Sequence, residues 1–323
     1  MRRTLYSIAL IAITLSSISC NFFNFLQHNK PHSNKPFITS ESLADARSAS
    51  SFEVYSFEEH PFKNWSEVQI KSLMGLSSLS LKDTSEIPVS DSFATSEADL
   101  PESFDSREKW PECIHPIRNQ GHCGSCWAHG ASEVLSDRFC IASEGKVNVV
   151  LSPQDMVSCD YFDHGCNGGI LTASWMYLRL FGIVSDECKP YTSGDGKVES
   201  CPLFKSICRN ESAVYKKYKA KNFYYLPTIN QIKQNILEKG PIETGFSVYS
   251  DFMNYKGGIY KKSANANMLG GHAVKIVGWG KEGETEYWIV ANSWAETWGE
   301  KGYFKIAFRQ CGIENVIAGD PSL

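Results

Sequence analysis

The run Gln120-Gly121-His122-Cys123-Gly124-Ser125-Cys126-Trp127-Ala128 brings a thiol, a helix start and an amide side chain together within nine residues. Ahead of Cys126 the chain is polar and glycine-rich. From Trp127 onward Val134, Leu135, Phe139 and Ile141 recur at helical spacing. Cys126 is therefore expected at a helix N-terminus, where the dipole and the unpaired N–H groups favour thiolate over thiol. Gln120, six residues upstream, can fold back so that its amide N–H and the Cys126 backbone N–H converge on one point. A tetrahedral oxyanion needs such a pair of donors. The chemistry indicated is acyl transfer to sulfur, which calls for a base and for a group that orients the base.

Two later segments supply candidates. Gly270-Gly271-His272-Ala273-Val274 sets a histidine before an apolar, β-rich run ending at Gly278-Trp279-Gly280. Tyr287-Trp288-Ile289-Val290-Ala291-Asn292-Ser293-Trp294 sets an asparagine at the end of another strand-like run. An imidazole touching the thiol gives an ion pair, His272 protonated and Cys126 ionised, and holds the thiol well below its ordinary value of ~8.5. The thiolate attacks a scissile carbonyl, and His272 passes its proton to the leaving amine. Asn292 would bond the other ring nitrogen and fix the tautomer and ring angle. Trp294 would shield that bond from water, pack in the core, or both.

These segments, in this order, resemble the active-site segments of papain-like cysteine proteases, whose signature C-G-[SA]-C-[WY] is met by Cys123 to Trp127. Within that family the stretch from Leu100 to Gly319 is most similar to the cathepsin B group. The likeness is close at Cys166-Asn167-Gly168-Gly169, Gly240-Pro241-Ile242-Glu243, Phe246-Ser247-Val248-Tyr249-Ser250-Asp251-Phe252 and Gln310-Cys311-Gly312-Ile313-Glu314. The resemblance implies an α+β, papain-like fold of two lobes, one helical and one β-barrel-like, with the substrate cleft between them. Pattern alone gives only mixed α and β in two lobes.

The resemblance also implies substrate-binding roles for Gly168, Gly169, Leu171, Gly245, Ala273 and Trp294. The cathepsin B group has a carboxylate at the base of its S2 pocket, two residues after the glutamate of Cys-Gly-Ile-Glu. Counting from Glu314 puts Val316 there, which implies an apolar preference at P2. The implied disulfides are Cys113–Cys140, Cys123–Cys166, Cys159–Cys201 and Cys188–Cys208, with Cys311 unpaired. The sequence by itself leaves the pairing open, since eight cysteines allow 105 arrangements. The group's long loop, whose adjacent histidines close the cleft and grip a substrate carboxylate, corresponds here to the shorter, histidine-free stretch Cys188 to Cys201. An endopeptidase with little carboxydipeptidase activity is expected. His129 stands one turn after Cys126 where the family has Phe. A neutral ring packed in the core is the default, and a charge near the thiolate is the alternative.

The chain has 323 residues, a net charge of −4 and 21% charged residues, which argues against a nucleic-acid or membrane-surface binder. Met1-Arg2-Arg3-Thr4 and the apolar run from Leu5 to about Leu15 read as a cleaved signal peptide, residues 1–20, too short for a membrane span. Entry to the secretory route permits disulfides and gives weight to the sequons at Asn64 and Asn210. A zinc site made from cysteines with His115, His122 and His164 fails on compartment and spacing, so neither metal nor cofactor is expected.

Residues 21–99 differ in character, being rich in Ser, Asn, Asp and Glu. Asp83 to Ala98 reads as an acidic extended linker, and Phe62 to Leu76 carries aromatic and aliphatic residues at helical spacing. The segment resembles the short inhibitory propeptide of the cathepsin B group, which leaves residues 100–323 as the mature domain. The expectation is a monomeric cysteine endopeptidase made as a zymogen, destined for a lysosome or acidic vacuole or for the exterior. Its partners would be peptide or protein substrates, its own propeptide and cystatin-like inhibitors. The rival is an inactive binding or regulatory homologue, whose usual sign is loss of a catalytic residue. Gln120, Cys126, His272 and Asn292 are all present.

Overall fold

The computed structural model describes residues 35–77, 88–89, 100–202 and 207–323; the expected signal peptide and most of the acidic linker lie outside them. Three elements precede the main body: α1 (Ser40–Ala49), β1 (Glu53–Val54) and α2 (Glu67–Lys71). Next come β2 (Phe104–Asp105) and α3 (Ser106–Lys109), then the helices of one lobe, α4 (Cys126–Ala142), α5 (Pro153–Cys159) and α6 (Leu171–Leu180). The second lobe holds β3 (Tyr224–Tyr225), α7 (Ile229–Lys239), β4 (Ile242–Tyr249), β5 (Tyr255–Gly257), β6 (Ile259–Tyr260), β7 (Met268–Glu282), β8 (Thr285–Ala291), β9 (Tyr303–Ala307) and β10 (Asn315–Ala318). Among the described residues no helix is long and apolar enough to cross a membrane.

The strands run β3-β10-β4-β7-β8-β9-β6 across one sheet, with β2 added on β7. β7 is the longest strand and pairs antiparallel with β4 on one side and β8 on the other. Its side chains alternate between two cores. Val274 and Ile276 join Phe246, Phe252, Trp298 and Phe304 in the strand lobe, while Ala273 joins Trp127, Leu135, Met156 and Trp175 in the helical lobe. The expected helix from the Cys126 region and the strands flanking His272 and Asn292 form as the apolar pattern requires. Among the described residues, four disulfides join Cys113 to Cys140, Cys123 to Cys166, Cys159 to Cys201 and Cys188 to Cys208, and Cys126 and Cys311 are free.

α4 is buried along almost its whole length, and its charged side chains Glu133, Asp137 and Arg138 reach the strand lobe. Lys275 of β7 places its Nζ 2.6 Å from Asp137 Oδ2 and 3.6 Å from Glu133 Oε2. His115 Nδ1 lies 2.7 Å from Asp137 Oδ1. Arg138 donates to the carbonyls of Pro241 at 2.7 Å and of Gly240 and Gly319 at 3.1 Å. The lobes are therefore joined by charge and hydrogen bonds around one helix.

The segment before the main body departs from its expected form. Within Phe62–Leu76, helix forms only over α2, started by a capping box in which the Ser66 and Gln69 side chains each bond the other's backbone N–H. After a turn at Ser72–Leu73 the chain leaves the helix, and Leu76 pairs as a strand residue. Gly75 explains why: a Cβ there would sit 2.0 Å from the Gly124 carbonyl oxygen, so the backbone threads a gap that no side chain could enter.

Lys275→Met is expected to lower stability by about 3–5 kcal/mol, because two buried carboxyls lose their cation. Urea denaturation of the variant checks this; an unchanged midpoint would remove the ion pair from any account of how the lobes are held.

Candidate active site

Cys126 is the first residue of α4, and the Ser125 side chain makes no capping hydrogen bond to the helix. The Ser125 hydroxyl is instead 2.9 Å from the Tyr191 hydroxyl, which donates to the Gln120 carbonyl at 2.8 Å. The helix N–H groups at Cys126 are thus left for a ligand. Gln120 is fully buried and its side-chain amide is oriented by the Ser293 hydroxyl, which donates to Oε1 at 2.8 Å. Nε2 then points into the cleft and donates to the carbonyls of Cys123 at 2.8 Å and Leu73 at 3.1 Å. The Leu73 oxygen occupies the ground where an oxyanion would be held. Sequence reasoning missed Ser293 and Tyr191, although Ser293 sits inside the Asn-Ser-Trp run.

His272, on β7, faces the strand lobe with its Nε2 2.8 Å from Asn292 Oδ1. Asn292 follows the end of β8, and its Oδ1 also accepts from the Ser293 N–H at 2.8 Å. The carbonyl end of the amide therefore faces the ring, and Nε2 carries the proton toward it. The Trp294 ring lies over the imidazole, centroids 4.7 Å apart at 30°, and excludes water from the His272–Asn292 bond. Cys126, Gln120, His272, Asn292 and Trp294 thus meet at one place, on the seam between the lobes.

The cleft is filled by the chain's own residues 72–77. Gly169 N–H donates to the Gly75 carbonyl at 2.9 Å, Ser77 N–H to the Gly169 carbonyl at 2.9 Å, and Leu76 N–H to the Gly271 carbonyl at 3.0 Å. Leu76 forms a parallel bridge with Gly169 and an antiparallel one with Gly271. The segment is a strand laid between two glycine walls. Gly169 must be glycine, since a Cβ would lie 2.6 Å from the Trp127 ring. Gly168 beside it has φ 110°, a conformation that favours glycine.

This covering changes the electrostatics. Burial pushes the Cys126 thiol up to about 12, against the opposing pull of the Ala273 and Gly75 backbones. Burial brings His272 down to about 4, with the Asn292 side chain and the Leu73 backbone pulling the other way. His272 Nδ1 makes no hydrogen bond of normal geometry among the described residues. In this state burial favours a neutral thiol and a neutral ring over the thiolate–imidazolium pair expected from the sequence. Both charges would be held without water. His129 is likewise neutral: it is fully buried, and burial brings it down to about 3. Its Nδ1 donates to the Ser125 carbonyl at 3.0 Å, and its ring meets Tyr191 at 4.6 Å.

The walls of the expected S2 pocket need one correction. Ala273 pairs with Gly245, and Gly245 with Asn315, so these three share a face. Ala273 packs with Leu171 and Leu76. Val316 pairs with Thr244, which pairs with Val274, so Val316 looks the opposite way into the strand-lobe core, fully buried beside Val274 and Phe246. Counting from Glu314 lands one residue past the face in question, and Asn315 is the side chain on that face. The stretch Cys188 to Cys201 packs behind Gln120–His122, where the Gly194 carbonyl accepts from His122 N–H at 2.8 Å. Its Lys197 is exposed and paired with Asp195 at 2.8 Å.

Comparison with known proteins agrees with this geometry. The family model described as papain family cysteine protease matches residues 100–319. The chain is 40% identical over 251 residues to a cathepsin B-like cysteine proteinase 4 of Caenorhabditis elegans, covering 68% of this chain and 75% of that protein. It is 43% identical to a gut-specific cysteine proteinase of the same organism, covering 69% and 74%. Among solved structures it is similar to proCathepsin B S9 from Trypanosoma congolense, with TM-score 0.79 and 31% identity over 89% of this chain and all of that one.

Beneath the Gly169 wall lie two buried carboxyls, Asp160 and Asp163. Asp163 accepts from the Ile170 N–H at 2.7 Å, while Asp160 Oδ2 has no hydrogen-bond partner among the described residues. Burial pushes both upward, and for Asp160 the neighbouring Asp163 adds to the effect. The folded state therefore keeps protons that an unfolded carboxyl releases near ~3.9. Stability should be greatest in acid and decline as pH rises above about 4, until both groups have ionised. Asp160→Asn should flatten that decline. Thermal melting of both proteins between about pH 5 and pH 8 measures it, and parallel slopes would exclude the pair as its source.

Proposed function

From a chain that belongs to the papain family of cysteine proteases, and is cathepsin B-like within it, we infer an endopeptidase made as a self-inhibited zymogen on the secretory route. One observation carries the reading. The Leu73 carbonyl is held by the oxyanion amide of Gln120 while the segment around it lies between the Gly169 and Gly271 walls. A peptide already occupies the site in the manner of a ligand. Residues 21–99 form the propeptide, residues 1–20 the signal peptide, and processing near Leu100 releases residues 100–323.

Once the cleft is open to water, the Cys126 proton passes to His272 and the two charges support each other. The thiolate attacks the substrate carbonyl, and the oxyanion is taken by Gln120 Nε2 and the Cys126 N–H. His272 protonates the leaving amine, then draws a proton from the water that cleaves the acyl-enzyme. Asn292 holds the ring in the tautomer that leaves Nδ1 facing the thiol. The propeptide escapes this fate by lying in the direction opposite to a substrate, in keeping with its parallel bridge to Gly169.

The short, histidine-free loop supports endopeptidase action with little removal of dipeptides, as its two cations, Lys189 and Lys197, are already matched by Asp155 and Asp195. At P2 the Leu171–Ala273–Gly245 face favours apolar side chains, and a neutral Asn315 gives a guanidinium no countercharge. An acidic compartment suits the Asp160–Asp163 pair. Asn64 is exposed and Asn210 half-buried, and both are assigned as glycosylation sites. The enzyme acts as a monomer open to cystatin-like inhibitors.

Labelling with a thiol-reactive peptide epoxide tests the central reading. Cys126 should be labelled at least ~100-fold faster after processing than in the zymogen, and Cys126→Ala should abolish peptide hydrolysis. A processed protein that resists labelling would instead be the inactive homologue. For specificity, Asn315→Glu should raise kcat/KM for Arg at P2 roughly 10- to 100-fold relative to Leu, as an unpaired cation gains a partner. A P2 profile that does not move would detach Asn315 from the pocket.

A further inference from the structure

The propeptide leaves an imprint at the other end of the cleft. Trp65 stacks on His122, ring centroids 4.2 Å apart at 35°, and Phe62 meets Trp294 edge-on at 5.8 Å while touching Trp65 at 4.8 Å. Among the described residues His122 Nδ1 is buried there without a hydrogen-bond partner, and the ring meets the indole by its face at 35°. The His122 backbone is held by the Gly194 carbonyl, and the residue is next to Cys123, whose carbonyl accepts from Gln120 Nε2. The platform is therefore attached to the oxyanion segment. Along the cleft the order is His122 and Trp294, then Cys126 and His272, then the Gly169 and Gly271 walls with their apolar pocket.

We propose that His122 is a specificity-determining residue of the processed enzyme: its ring is a platform for an aromatic side chain on the leaving-group side of the scissile bond. This rests on the peptidase reading above, in which the Gly169 end holds the acyl side of the substrate. The leaving-group residues then extend toward His122 and Trp294. Trp65 shows what fits there. An indole supplies a large flat surface at little conformational cost, and an imidazole face offers a matching plane that a serine or alanine could not.

Two measurements test the proposal. With enzyme obtained by activating the full chain, internally quenched peptides of fixed acyl side carry Trp, Phe, Leu, Ala or Asp at the first or second leaving-group position. Trp and Phe should exceed Ala in kcat/KM by roughly 3- to 10-fold at one of these positions. In His122→Ser that ratio should fall to about 1- to 2-fold, while His122→Phe should preserve it. Equal aromatic preference in the wild type and His122→Ser would overturn the assignment. The second measurement needs no turnover. In the unprocessed full chain, Trp65→Ala and His122→Ser should each speed labelling of Cys126 by a small thiol reagent, as the propeptide opens more often. The double variant should label no faster than the faster single one, because both remove one contact. Multiplicative effects would mean the two rings act apart and the platform does not exist. A wild-type chain that shows this coupling yet never cleaves a peptide would reject the peptidase reading and leave the ring contact standing.

Discussion

The site depends on the contact between α4 and β7. Cys126 begins the helix and His272 lies on the strand, so the distance between the proposed nucleophile and base is set by how the two lobes meet. The alternation of β7 solves this with three neighbouring residues. His272 faces the strand-lobe core, Ala273 the helical lobe, and Lys275 the buried carboxyls of α4. Lys275 and Asp137 are both almost wholly buried, so their bond is not shared with solvent. An apolar contact would tolerate sliding; an ion pair with added hydrogen bonds to Arg138 and His115 fixes register. Glycine at positions 169 and 271 then keeps the cleft beside this seam open to a backbone.

The same seam accounts for silence in the zymogen. A thiolate–imidazolium pair is stable only while water or an equivalent set of dipoles solvates it. A strand laid between the lobes removes water from both partners at once, and each group relaxes to its neutral form. Inhibition is thus more than blockage, since the segment also withdraws the charge separation on which nucleophilic attack depends. Its bonds to Gln120, Gly169 and Gly271 are made by its backbone, so these bonds themselves ask nothing of the inhibitor's side chains.

Much of this was legible in the sequence because the chemistry is local. Cys126 at a helix start follows from the apolar period after Trp127, and His272 and Asn292 follow from strand-like runs that end in the right residue types. What escaped depends on direction or on partners distant in sequence. Val316 against Asn315 is a question of which face of a short strand looks outward, and a shift of one residue reverses every side chain. The region around Trp65 has helical spacing, yet only Glu67–Lys71 becomes helix, because the residues after it are drawn into a cleft as a strand. Tertiary pairing outweighs local propensity there. Ser293 and Tyr191 act through bonds to residues 173 and 71 positions away, which no local pattern reports.

The walls of the cleft divide its work. Where Gly169 and Gly271 line it, recognition is by main-chain hydrogen bonds, which any peptide can make and which a propeptide therefore shares with a substrate. Discrimination must come from side chains set at the ends of those walls. At one end Asn315 stands on the face of Gly245 and Ala273; at the other the rings of His122 and Trp294 meet Trp65 and Phe62 of the segment before the main body. Neither the Asn315 side chain nor the His122 ring bonds His272, Asn292 or the Gln120 amide. On the proposed reading that separation lets one catalytic arrangement serve different peptides, with the seam setting the chemistry and the ends choosing the sequence.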